Sequence, residues 1–144
     1  MKQAILRAAE EEIKVKGLSF TMDDLVNRLG ISKKTIYQHI SSKEQIIGEI
    51  LLEMKADIDR QQTLLFNQNE IGILDKMKGL IKILPEKSHL ITPITLNQLK
   101  RSFPNLYTMV NEIYHSNWER FDVLYEEGVK NKQFQPFDKE FLRE

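Results

Sequence analysis

Apolar residues recur along this chain at spacings of three and four, and strand-like alternation is scarce, so the pattern predicts helices almost throughout. Ala4, Ile5, Ala8, Ala9 and Ile13 form a first stripe, stopped by Gly17 behind Lys14 and Lys16. Met22, Leu25, Val26 and Leu29 form a short second stripe ending at Gly30, and Ile36 and Ile40 sit four apart in a third. A longer helix is expected from about Ser42 to Phe66, with its polar stretch from Lys55 to Thr63 facing water or a partner. Another runs from about Glu70 to Leu84, where Pro85 ends it. Thr92-Pro93 and Phe103-Pro104 mark two further starts, because proline suits the first helical position, where its missing N–H has no intrahelical partner to lose. The second of these opens a helix reaching about Asn131, and a final helix begins near Asp138. The expected fold is all-α, with a three-helix head at 1–44 joined by a long helix to a helical body at 45–144.

Residues 20 to 46 hold three consecutive helix starts. Thr21 is placed to cap the first, with Asp24 three residues on and Phe20 set to staple onto Leu25. Ser32 caps the next, with Ile31 and Ile36 as the staple pair, and Ser42 with Gln45 fits an S-x-x-Q capping box. Each cap is worth about 1 kcal/mol, so these boundaries are specified locally. Gly30 allows a tight turn between the two short helices. Two short capped helices joined by such a turn, behind a preceding helix, describe a helix-turn-helix.

The 144 residues carry 21 basic and 21 acidic side chains, so net charge alone predicts no polyanionic partner. The distribution changes that picture. Between Leu25 and Lys43 stand four basic residues (Arg28, Lys33, Lys34 and Lys43) and no acid, leaving 17 basic against 21 acidic residues elsewhere. Lys33, Lys34 and Lys43 also fall in first helical turns, where the macrodipole disfavours cations. The placement makes sense if an external anion docks at those N-termini; the plain alternative is lysines that swing into water. Side-chain chemistry favours DNA. Lys33, Lys34, Gln38 and Thr35 supply long donors for guanine, an amide for adenine and a methyl for thymine, while Tyr37 and His39 suit phosphates or stacking. Ile36 is expected to point inward and anchor the helix.

The segment TMDDLVNRLGISKKTIYQHISSKE, preceded by ILRAAEEEIKVKGLSF, resembles the DNA-binding head of TetR-type (tetracycline repressor family) transcriptional regulators over about residues 4 to 50. The resemblance implies that Lys33, Lys34, Thr35, Tyr37, Gln38 and His39 face DNA, that Thr21 caps its helix near a phosphate, and that Lys43 meets the DNA backbone. Lys34 stands where many members carry a small residue, and Ile40 where an aromatic is common. Past residue 50 the resemblance is architectural and implies an effector-binding body. There Met77, Leu80, Ile81, Ile113, Tyr114, Asn117, Trp118 and Phe121 are candidates to line a pocket, although aromatics at helical spacing also simply fill cores. Asn97, Asn117 and His115 are candidates to orient an effector, and an apolar pocket suits a hydrophobic or amphipathic one.

The resemblance further implies a homodimer on a palindromic operator of double-stranded DNA, acting as a repressor released by a small-molecule effector. Members pair through two C-terminal helices. Only residues after Phe137 are available to begin the first of these, so either the chain is truncated, the favoured expectation, or this member pairs differently. No apolar run approaches the roughly 18 residues of a transmembrane helix and no secretory segment opens the chain, which points to the cytoplasm. Zero Cys excludes disulfides and thiolate metal sites. His39, His89 and His115 are scattered, and no nucleotide-binding, metalloprotease or nucleophile-elbow motif is present, so neither metal, cofactor nor catalysis is expected. The rival reading is a helical ligand-carrier or protein-interaction module that no longer binds DNA.

Overall fold

The computed structural model describes residues 1–143, which contain seven α-helices and no strand. In order they are α1 (Lys2–Lys16), α2 (Met22–Leu29), α3 (Lys33–His39), α4 (Lys43–Phe66), α5 (Ile73–Lys82), α6 (Pro93–Ser102) and α7 (Pro104–Lys130). Two differences from the spacing-based expectation stand out. α5 begins at Ile73 instead of Glu70, with Gly72 at its N-cap, and stops at Lys82, since the residue before Pro85 is pushed out of the helical region. The final helix expected near Asp138 is a single 3-10 turn, Glu140–Leu142.

Packing sorts the chain into two compact units, Met1–Ile58 with Leu84–Ile113, and Asp59–Ile83 with the chain from Tyr114 onward. The head expected at 1–44 therefore shares its core with later residues. Ile5, Leu6, Leu25, Ile36 and Ile46 are buried together with Met54, Leu90, Leu99 and Leu106. The physical reason is area. Three short helices cannot cover one another's apolar faces, and the start of α4, α6 and the first turns of α7 complete the cover. The second unit has its own core of Met77, Leu80, Phe121, Leu124 and Tyr125, with Trp118 and Phe134 against it.

The helix starts are built from side chains as the sequence suggests, with one shift. Thr21 Oγ1 accepts from Asp24 N–H (3.2 Å) and the Asp24 carboxylate accepts from Thr21 N–H (2.8 Å), a complete capping box. Ser32 Oγ accepts from Thr35 N–H at 3.1 Å. At α4, Ser42 Oγ accepts from Gln45 N–H (3.0 Å), but Gln45 reaches back one residue further than expected and accepts from Ser41 N–H (2.7 Å). Thr92 and Thr95 close another box at α6, with Pro93 in the first turn. Gly30 ends α2 at φ 65°, ψ 28°, the left-handed cap that turns the chain toward α3. Gly17 ends α1 at φ 60°, ψ −147°, a region essentially reserved for glycine.

Two outcomes are expected from these local devices. The Lys16 ammonium, 2.6 Å away, and then the Thr21 N–H hold the Asp24 carboxyl down from 3.8 to about 2. Its folded-state value is depressed, so its stabilisation is complete above the ordinary carboxylate range and disappears as pH falls through about 2. Asp24→Asn should therefore flatten the acid-unfolding limb between about pH 4 and 2, followed by circular dichroism; an unchanged limb would show that the pairing does not hold in solution. Gly17→Ala should cost about 1–3 kcal/mol from backbone strain and lower the Tm by several degrees.

Candidate nucleic-acid interface

α3 is seven residues long and is seated by its own apolar positions. Ile36 is 0% exposed and Ile40, just after the helix, 1%. The spacing that sends these two inward sends their neighbours outward. Lys33, Lys34, Tyr37, Gln38 and His39 are all exposed, and Tyr37 stands 47% exposed despite its ring. Thr35 is half-buried and its hydroxyl shares a 2.8 Å hydrogen bond with Ser32. Thr21 is exposed at the start of α2. Six of the eight residues expected at DNA thus lie on the short helix itself, with five of them protruding.

The charges are more engaged with their own chain than the sequence count suggests. Arg28 Nε donates to Glu12 at 2.7 Å, and Glu12 is buried in α1. Lys33 lies 3.0 Å from Asp23, and that contact raises the lysine's pKa. Asp23 stands two residues before the acid-free window, so counting from Leu25 missed it. The pair is exposed on both sides, and such pairs contribute little and exchange readily. Lys34, among the described residues, has no ion-pair partner.

Lys43 is held within its own chain. Its ammonium turns inward, donating to the carbonyls of Leu18 and Phe20 and lying 4.6 Å from the centre of the Phe20 ring. Burial pushes its pKa down, partly opposed by Asp24. Opposite it, the Gln98 carboxamide of α6 accepts from Leu18 N–H at 2.8 Å. No local pattern marks Gln98, because its partner is 80 residues away.

In the second unit the residues named for a pocket separate. Met77, Leu80 and Phe121 are buried together in its core, with the Trp118 ring edge-on to Phe121 at 5.3 Å. Ile81 and Tyr114 are each 49% exposed. One helical step past Leu80 turns Ile81 about 100° off the buried face. Asn117 accepts from Gln62 at 2.7 Å, and Gln62, in the polar stretch expected to face water or a partner, is 1% exposed. His115 is exposed, while Ile113 and Asn97 belong to the first unit, half-buried and exposed respectively. A groove of about 370 Å³ opens in the first unit, between the end of α1, His89, Leu90 and Ile94. No helix among the described residues is long and apolar enough to cross a membrane, and none of their His, Asp and Glu side chains cluster as metal ligands.

Residues 5–50 match the family described as bacterial regulatory proteins, tetR family. Over 133 residues the chain is 29% identical to YvaF of Bacillus subtilis (strain 168), described as an uncharacterized HTH-type transcriptional regulator, covering 92% of this chain and 70% of that protein. Its fold is similar to that of the TetR family transcriptional regulator PfmR from Thermus thermophilus, with a TM-score of 0.72 at 20% identity over 93% of this chain and 75% of that one. A TetR family protein from Vibrio parahaemolyticus is also similar, with a TM-score of 0.54 at 21% identity over 97% and 76% of the two chains. At such identities the two structures speak for the fold, while the matched head and the Bacillus relative speak for the activity. With a capped helix-turn-helix presenting a polar outer face and a head that matches the tetR family over residues 5–50, this chain is a DNA-binding transcriptional regulator similar to TetR family proteins.

Proposed function

We propose that α3 lies in the major groove of a palindromic operator and that two copies of the chain bind it together. The observation that carries this reading is the division of one short helix into a buried anchor, Ile36, and five exposed polar or aromatic side chains. Lys33, Lys34 and Gln38 are the base-reading candidates, lysines for guanine edges and the amide for adenine. Thr35 has its hydroxyl engaged with Ser32, leaving its methyl for a thymine. Tyr37, His39 and Thr21 suit phosphates. One seven-residue helix spans too few base pairs for useful specificity, so a homodimer sets two of them roughly 34–36 Å apart along the duplex.

In this reading the protein works in the cytoplasm as a repressor, and a small hydrophobic or amphipathic effector taken up by the body releases it. The effect of such a ligand on DNA affinity is bounded by its differential binding to the two states, typically about 1–3 kcal/mol.

The test begins with duplexes enriched by the full chain from a random-sequence pool, with binding followed by fluorescence anisotropy across a salt series. The logarithm of the affinity should fall with that of salt at about −0.9 per phosphate contacted. Gln38→Ala should cost about 1–3 kcal/mol on the preferred duplex and relax base choice at one position. Failure to enrich any duplex, or equal binding by Lys33→Ala, Lys34→Ala and Gln38→Ala, would remove α3 as the reading element.

A further inference from the structure

The turn joining α1 to α2 is held from two directions through one peptide group. Backbone groups in such a turn lie outside the helical ladder and need other partners when buried. Leu18, in the 3-10 turn Gly17–Ser19, is buried, and its N–H donates to the Gln98 carboxamide oxygen of α6 at 2.8 Å. Its carbonyl accepts from Lys43, the first residue of α4, which also donates to the Phe20 carbonyl at 2.5 Å. A Cβ on Gly17 would sit 2.6 Å from the same Gln98 oxygen, so the glycine supplies the clearance for this approach. Phe20 is 0% exposed, as is its staple partner Leu25 in α2. The position of residues 18–20 is therefore passed into α2, and through the Gly30 turn into α3.

An ammonium has three N–H groups, and two of these are given to carbonyls while the side chain lies over an aromatic ring. Swinging Lys43 out to a phosphate would strip both part-buried carbonyls of their donor. We propose that Lys43 and Gln98 are positioning residues for DNA recognition, together setting how α2 and α3 leave α1, and that Lys43 acts in this way and not as a phosphate contact. The proposal rests on the DNA-binding reading above, and its test separates the two.

The full chain is compared with Lys43→Met, Gln98→Leu, Gln98→Glu and the Lys43→Met/Gln98→Leu double variant, with Lys33→Ala as the control for direct contact. Binding to the duplex enriched from the random pool is measured across salt. Backbone amide shifts of residues 33–39 are recorded by NMR without DNA. Gln98→Leu should weaken binding about tenfold with the salt slope unchanged, as for one lost buried hydrogen bond, and move the α3 amides. Gln98→Glu, whose carboxylate still accepts from Leu18 N–H, should restore both. Lys43→Met should also weaken binding without altering the slope, and the double variant should lose less than the product of the single losses, since both act on one peptide. A slope reduced by about 0.9 in Lys43→Met would make Lys43 a phosphate contact and overturn the proposal. Unchanged affinity and unchanged α3 shifts in Gln98→Leu would overturn it as well. If Lys43→Met does not fold, the two Gln98 variants decide. If the unaltered chain binds no duplex, the DNA reading fails while the amide shifts still decide whether these residues hold the head.

Discussion

A helix of seven residues has no independent existence in water, where isolated helices shorter than about 12–15 residues are marginal at best. α3 therefore exists only as far as the rest of the first unit holds it. The Ser32 cap contributes about 1 kcal/mol, whereas truncating a fully buried aliphatic such as Ile36 to alanine typically costs about 2–5 kcal/mol. Burial outweighs capping. The same constraint explains why the outer face is free for recognition. Two inward positions suffice to seat so short an element, and five of its other residues stay exposed. It also explains why α4, α6 and α7 share a core with the head, since the surface that grips Ile36 and Ile40 must itself be rigid.

The electrostatics follow from the same crowding. Arg28 is committed to Glu12, a carboxylate buried in α1. Lys33 is balanced by Asp23, and Lys43 by backbone carbonyls. The local excess of four cations is thus largely spent within the fold. The cations of this stretch left most open to an outside anion are Lys33, in its exposed and exchangeable pair with Asp23, and Lys34.

The second unit is organised by aromatic packing and a few polar ties. Tyr125 packs edge-on to Phe137 at 5.1 Å and beside Phe134 at 6.0 Å, and its hydroxyl donates to the Phe137 carbonyl. Asp122 is held by Arg143 at 2.7 Å and Lys139 at 3.0 Å. Gln62 is the exception within it. Its amide donates to Asn117, but its buried carbonyl oxygen has no partner among the described residues, an arrangement that costs free energy unless something satisfies it.

Helix identities, most boundaries and the exposed outer face of α3 were legible in the chain because each is set by neighbours within four residues. Caps at Thr21, Ser32 and Thr92, the glycine stops at 17 and 30, and the Ile36–Ile40 spacing are all local. The extra residues of α5 and the helix expected near Asp138 were overcalled where apolar spacing was weak and glycine or the surrounding fold intervened. The partners of Lys43, Lys33, Gln62 and Leu18 were not legible at all. They lie on other elements of the fold, and a lysine or glutamine reads the same in sequence whether it faces water or a carbonyl. Sequence alone determined which residues could stand on the outer face of α3; only tertiary structure decided which charges were left over and what holds the preceding turn. Long flexible side chains take their roles from whichever polar groups the folded chain brings within reach.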